Sequence, residues 1–319
     1  MRDWMERQQS WIYLSFILAG LALGLGLPGI SAWLESLLWP LLGVLLYATF
    51  IQTPLSRIGE GLKDWRFLGA LLVGNFVIIP LVVGILVALL PLSFAVQAGV
   101  LLVLLVPCTD WFISFTHLGR DEAALAIAVT PVLLLVQLFA LPFYLWLFLC
   151  TERFETALSS HLVGAFVGLI LTPLALAWVT ERLAQRSASA RQLMQCLAAL
   201  PVPLLALVVF VIAASQISTM TSLSSVLMQV LLIFIAYLVF AAFLGKTLAN
   251  LFRLPTTSAR TLTFCFGTRN SFVVLPIALA LPEAWHVAVV VIVFQSLVEL
   301  FGMVALLRWV PSKLIPEPS

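Results

Sequence analysis

LLVLLVPCTDWFISF (residues 101–115) and TLTFCFGTRNSFVVLPIALAL (residues 261–281) are apolar stretches of membrane-spanning character, and each carries a charge beside a helix breaker. In the first, Pro107 interrupts the run and Asp110 follows. In the second, Gly267 precedes Arg269, and Pro276 comes further on. An ionisable group in the bilayer core costs roughly 3 kcal/mol or more, so it faces protein or water and marks a pathway. An interrupted apolar segment at corresponding places in two halves of a chain points to a transport site.

Composition sets the class. The 319 residues are 63% hydrophobic and 9% charged, with mean hydropathy +1.16. A soluble domain carries about 25% charged residues, so the chain reads as an integral membrane protein in a lipid bilayer. A net charge of +2 leaves no basic footprint for nucleic acid. Cys108, Cys150, Cys196 and Cys265 lack metal-ligand spacing and contain no CxxC, so no metal site and no disulfide framework is expected. Arg2 and Arg7 ahead of WIYLSFILAGLALGLGL resemble a secretory signal. No clean cleavage site follows, so a retained first helix is expected. No phosphate-binding GxxxxGK[ST] and no catalytic constellation is present, and Asp110 has no second aspartate at depth. Neither an ATP-driven pump in one chain nor an enzyme is expected, and no cofactor is implied.

Segments of about 20 apolar residues fall near 11–28, 34–53, 66–90, 94–118, 122–149, 158–180, 193–215, 224–250, 258–282 and 284–309. Basic residues favour the cytoplasmic side. With the N-terminus inside, all but two of the sixteen Lys and Arg residues lie in cytoplasmic segments. The exceptions are Arg153 in an outer loop and Arg269 within a span. Ten spans with both termini cytoplasmic follow. They make one transmembrane domain over 1–319, with five-span repeats at about 11–149 and 158–309. Five is odd, so the halves are inverted, and the interrupted segment is fourth in each.

A broken helix exposes free N–H groups at one half-helix end and free C=O groups at the other, with opposite partial charges. Asp110 suits an N-terminus and Arg269 a C-terminus. Thr109, Thr268, Asn270 and Ser271 add oxygens and an amide at the same depth. Three readings stay open. The pair is a static buried salt bridge; or protonation of Asp110 switches it; or Arg269 binds an anionic substrate while Asp110 responds. Cys108, with Cys265 a turn before Thr268, offers thiols to a soft metalloid, or is a small buried hydrophobe. Glu299 is the third deep ionisable group, a candidate proton site or a partner of Arg269. Asn75, Gln97, Gln137 and Gln295 need no more than interhelical hydrogen bonding.

At these residues the chain resembles the bile acid/sodium symporter superfamily, and within it the arsenical-resistance permeases that export arsenite. Asn75 with Pro80, Cys108, Gln137 with Pro142, and Leu297-Val298-Glu299 match that family's motifs. The resemblance implies a panel and a core part, with broken fourth and ninth helices crossing. Two departures stand out. Pro107-Cys108-Thr109-Asp110-Trp111 replaces a run with Arg before the cysteine, and Arg269-Asn270-Ser271-Phe272 replaces Asn-Asn-Phe-Glu. The acid and the base have exchanged spans. The sodium-coupled branch has a Glu and a Gln in span nine, and neither occurs between Thr261 and Leu281. A hard cation needs several oxygen ligands, so proton coupling is favoured over sodium.

The expectation is therefore an inner-membrane secondary transporter of a prokaryote, an all-α protein of ten helices. It exports arsenite or a related metalloid in exchange for protons. Cys108, Thr109, Arg269, Asn270 and Ser271 would contact substrate, Asp110 and Glu299 would couple the proton, and Asn75, Gln137, Thr268 and Cys265 would support them. An ion-coupled symporter of organic anions, clamped by Arg269, is the alternative. The sequence gives no oligomeric state.

Overall fold

The computed structural model describes residues 2–27, 31–53, 55–119, 121–149, 164–215 and 224–317. Arg120, Cys150, Arg153 and His161 lie outside them, as do the side chains of Arg2, Arg7 and Arg57. The described residues are helical, with no β-strand beyond one isolated bridge. The longer helices are α1 (Arg2–Gly26), α2 (Ser31–Phe50), α3 (Trp65–Leu89), α4 (Phe94–Leu105), α5 (Trp111–Leu118), α6 (Ala123–Leu149) and α7 (Gly164–Ala184). They continue with α8 (Ala188–Leu197), α9 (Pro201–Ser215), α10 (Ser224–Leu251), α11 (Thr256–Gly267), α12 (Ser271–Leu279) and α13 (Val287–Trp309).

Among the described residues, six helices are long and apolar enough to cross a membrane, or seven if α8 and α9, bent by 43°, form one span. This is an all-α membrane protein. The sequence segments 94–118 and 258–282 each divide into two short helices, α4–α5 and α11–α12, and the apolar part of α1 is short (Trp11–Gly26). Length alone therefore counts fewer spans than hydropathy and loop charge do.

Two groups of helices pack side by side. In one, α1 and α2 both lie against α9, and α2 also lies against α7. The contact is intimate at Gly20 and Gly24: a Cβ on either would come within 2.4 Å of the carbonyl oxygens of Phe210 and Ala214. Small residues one turn apart let membrane helices approach at backbone distance. In the other group, α3 packs on α4, α10 on α11, and α13 lies across both α4 and α10. Gly99 brings α4 close to α13, since a Cβ there would sit 2.9 Å from the Ala288 Cα.

α3 carries a π-helical turn over Gly74–Ile78 just before Pro80. Proline has no N–H to offer the carbonyl four residues back, which is that of Phe76. The Tyr144 hydroxyl on α6 donates to the Phe76 oxygen instead. A neighbouring helix thus satisfies a carbonyl that lipid cannot.

Candidate functional site: the crossing of two broken helices

The break between α4 and α5 starts where Pro107 disfavours helical conformation at the residue before it. Val106 is accordingly extended (φ −108°, ψ 112°). The break between α11 and α12 follows Gly267, with Thr268 extended (φ −105°, ψ 137°). The two extended segments pair in antiparallel fashion. The Asn270 N–H donates to the Val106 oxygen (2.9 Å), and the Cys108 N–H to the Thr268 oxygen (3.3 Å), around a Pro107–Arg269 bridge. Each break satisfies backbone groups of the other, as a site at membrane depth requires.

New half-helices start beyond the crossing. Asp110 is the N-cap of α5 and Asn270 that of α12. The Asn270 Oδ1 accepts from the Val273 N–H (3.2 Å), while its amide nitrogen donates to the Thr109 hydroxyl (3.3 Å), joining the two caps. On α5 the capping acceptor is a sulfur. The Trp111 N–H donates to Cys108 Sγ (3.3 Å), and that thiol donates to Asp110 Oδ1 (2.9 Å).

Arg269 serves the opposite ends. It is 1% exposed. Its guanidinium donates to the oxygens of Cys265 (3.2 Å) and Phe266 (2.9 Å) at the end of α11, and to Leu104 (3.4 Å) at the end of α4. A further bond reaches Asn75 Oδ1 on α3 (2.9 Å), and the guanidinium stands 5.5 Å from the Tyr237 ring centre. The Tyr237 hydroxyl donates to the Phe266 oxygen (2.8 Å). The last carbonyls of a helix lack intrahelical donors and carry the negative end of the dipole. A cation placed there satisfies both needs. The salt bridge with Asp110 considered from the sequence is not among the bonds of this guanidinium, which are all spent on α3, α4 and α11.

Behind Arg269 lies a buried polar chain. Glu299 Oε2 on α13 accepts from the Arg269 backbone N–H (2.8 Å) and from Gln295 Nε2 (2.7 Å), and the Ser271 hydroxyl donates to Gln295 Oε1 (3.0 Å). Glu299 thus holds the backbone of Arg269 rather than its side chain. Glu299 Oε1 and Arg269 Nε are buried without a hydrogen-bond partner. The Thr268 hydroxyl donates to the Phe264 oxygen (3.0 Å), and the Asn75 amide lies 3.7 Å from Cys265 Sγ. Of the residues singled out from the sequence, these all meet at the crossing. Gln137 does not join them: it is buried, and neither of its amide atoms has a partner.

A cavity of about 340 Å³ reaches the crossing from between the two helix groups. Thr109 and Asp110 lie at the α5 end, with Gln9 and Tyr13 of α1, Gln52 beyond α2, and Glu181 of α7 also on its wall. Cys108 and Arg269 do not line it. Sequence reading missed this wall. Tyr13, Glu181 and Gln52 sit near helix ends on other spans, and Tyr237 is a lone hydroxyl in an apolar run, so no local pattern ties any of them to Asp110.

Apolar helices broken and crossed at membrane depth, with capped half-helix ends and a cavity between two helix groups, define a membrane transport protein. The chain belongs to the Sodium Bile acid symporter family, whose model matches residues 39–223, a little over half of it. Members of that family are transporters and not enzymes. The match takes in the first break and ends before Arg269. No curated protein matches the chain.

Proposed function

We propose that this chain is a secondary transporter that works by alternating access at the crossing, with Asp110 as the coupling group and the proton as the coupling ion. The observation that carries the reading is the cavity ending on Thr109 and Asp110, where Thr109 is bonded to the cap of the other broken helix. A solute held there touches the cap of α5 at Asp110 and the first turn of α12 at Phe272, so its binding can bias how the two groups of helices sit.

Arg269 supports the choice of a proton over sodium. Carbonyl ends of broken helices are where a transporter of this architecture coordinates a cation. Here a tethered guanidinium already donates to three of those carbonyls and to Asn75. Among the described residues, the titratable and charged groups around Asp110 include Cys108, which donates to it, Tyr13 and Glu181 across the cavity, and Arg269 and Glu299 behind the crossing. A carboxylate at a cavity's end that holds a proton in one half of the cycle and solute in the other gives exchange.

Ten spans in inverted halves suit the same reading. The packing recurs between halves: α1 on α9 and α2 on α7, α3 on α4 and α10 on α11, α5 on α6 and α12 on α13. With both termini cytoplasmic in a prokaryotic inner membrane, Gln9, Gln52 and Glu181 lie at the inner end and the cavity opens inward.

Both substrates expected from the sequence rest on side chains away from the cavity wall. A metalloid bound to Cys108 must displace its bonds to Asp110 and Trp111, and an organic anion held by Arg269 must draw the guanidinium off its carbonyls. The deciding assay is flux into proteoliposomes with sodium replaced by choline, with and without a pH gradient, over arsenite, antimonite, organic anions and organic cations. Gradient-driven flux without sodium, lost in Asp110→Asn, is the expected result. Flux that requires sodium, or that survives Asp110→Asn with its gradient dependence intact, refutes the reading.

A further inference from the structure

α7 runs into α8 through a turn at residues 185–187, and its exposed side changes character on the way. Leu171, Leu176, Trp178 and Val179 are exposed along its apolar part, and Arg182 and Arg186 are exposed where it ends. The Arg182 guanidinium stands 4.6 Å from the Trp178 ring centre, one turn back. Tryptophan favours the boundary between membrane and water, and a basic side chain just beyond it reaches the headgroups. The two arginines therefore carry a lipid-facing stripe on to the level of the lipid phosphates. No aspartate or glutamate occurs between Glu181 and Glu283. Glu181 itself is turned to Ser56, accepting from its N–H (3.2 Å) and its hydroxyl (2.6 Å). Among the described residues, no ion pair holds either arginine.

α8 is short and amphipathic. The Ser187 hydroxyl caps its start by accepting from the Ala190 N–H, and the helix meets α9 at a bend of 43°. None of its residues is buried. Met194 and Leu197 pack on the protein. Leu193, Cys196 and Leu200, three and four residues apart, form an exposed apolar stripe, with Leu193 51% exposed. By helical spacing, Arg191 and Gln195 lie on the opposite side. A helix of this kind beside a membrane lies in the interface, with its apolar stripe among the acyl chains.

We infer that the turn between α7 and α8 binds an anionic phospholipid of the inner leaflet. Arg182 and Arg186 hold its phosphate, and Leu193, Cys196 and Leu200 lie along its acyl chains. The guanidinium fork matches phosphate oxygens in bidentate fashion. A zwitterionic lipid offers the same phosphate but brings an ammonium group to two arginines, whereas a headgroup of net negative charge does not. Inorganic phosphate would leave the apolar stripe uncovered. α8 also presents Met194 and Gln195 to the cavity, so the bound lipid touches an element that shapes the cavity wall. The choice of the inner leaflet rests on the orientation proposed above, and the preference for lipid charge does not.

Cys196 is exposed at the site and supplies the probe, while Cys108 and Cys265 are buried. A bimane is attached to it in the full-length chain with Cys150→Ala, and the protein is placed in symmetric bilayers of phosphatidylglycerol and phosphatidylcholine. One of the two lipids carries a nitroxide on its acyl chains, which quenches the bimane on contact. The lipid nitroxide is expected to quench more strongly than aqueous iodide. Exchange of labelled for unlabelled lipid is expected to show phosphatidylglycerol preferred by about fivefold or more. In the double variant Arg182→Gln, Arg186→Gln the two lipids are expected to bind equally. Lys63→Gln with Arg66→Gln, a matched loss of two exposed charges elsewhere on the inner side, should leave the preference intact. Equal binding of the two lipids by the parent chain, or iodide quenching as strong as for the free dye, overturns the inference. So does a preference that survives the Arg182, Arg186 double variant or falls equally in the matched control. Loss of the preference in millimolar inorganic phosphate assigns the site to free phosphate and overturns it as well. Labelling of Cys196 by an impermeant maleimide outside intact cells refutes the inner leaflet and the proposed orientation, while the lipid preference stands or falls by itself.

Discussion

Replacing Arg269 with alanine is the most direct challenge to this account of the crossing. The change removes the donors to four buried acceptors: the oxygens of Leu104, Cys265 and Phe266, and Asn75 Oδ1. A buried acceptor left unsatisfied costs about 1–3 kcal/mol. The 3.4 Å bond to Leu104 contributes least, because it is long for an N–H···O bond. The Phe266 oxygen keeps the Tyr237 hydroxyl. Against this, the variant no longer buries a charge, which relieves several kcal/mol of desolvation. With three full-strength bonds lost and that relief set against them, a net loss on the order of 3 kcal/mol is expected here. In a chain of this size it lowers the midpoint of thermal unfolding by on the order of 10 °C.

The diagnostic part is the salt. If the guanidinium is a tethered cation for the half-helix ends, the vacated oxygens take up a free one. For a site with Kd of roughly 10 mM, about 150 mM sodium would add about 1.6 kcal/mol to the variant. Unfolding of purified Arg269→Ala is therefore followed in NaCl and in choline chloride at equal ionic strength. The variant is expected to melt several degrees higher in sodium, and the wild type identically in both. Arg269→Lys, which keeps the charge but not the fork, should fall between. A variant as stable as wild type in choline, or one indifferent to sodium while the wild type responds, refutes the idea that Arg269 stands in place of a coupling cation.

Four further outcomes are expected. Cys108→Ser keeps an acceptor for the Trp111 N–H and a donor to Asp110, so its thermal stability should match wild type, whereas Cys108→Ala loses the cap of α5 and about 1 kcal/mol. Gly24→Leu forces α1 away from the Ala214 carbonyl, so the protein should fail to run as a single species in detergent gel filtration, while the exposed Gly26→Leu should behave normally. Tyr144→Phe strips the Phe76 carbonyl of its donor and should cost about 1–3 kcal/mol by thermal unfolding. Asp121, in the turn after α5, has its carboxyl pushed up to about 6 by burial, with Arg260 pulling it down and Glu122 and Glu317 pushing it up. A raised carboxyl favours the folded state when protonated, so that stability is full below about pH 4 and is lost as pH rises through 6. Between pH 5 and pH 7, wild type should therefore lose stability relative to Asp121→Asn, and equal pH slopes would contradict the assignment.

What the sequence made legible here is set by how local each cause is. Pro107 acts on its own neighbours, so the end of α4 and the start of α5 at Asp110 could be read from one heptapeptide. The polarity of the half-helix ends is likewise local, and it put Asp110 at an N-terminus and Arg269 on C-terminal carbonyls, where both are found. The partner of each charge was not legible. Opposite charges at matching depth invite pairing, but a guanidinium has five donors in a fixed fork, and a single carboxylate cannot use them all. Two converging helix ends with an amide beside them take bonds from both terminal nitrogens, and that convergence exists only once the chain has crossed itself. The cavity wall is harder still, because Tyr13, Glu181 and Phe272 come from three distant spans and signal nothing in their own surroundings. The electrostatic consequence runs against the first impression given by the sequence. A positive residue in the middle of a membrane suggests an anion pathway, yet this guanidinium is taken up by backbone carbonyls and Asn75 and does not line the cavity.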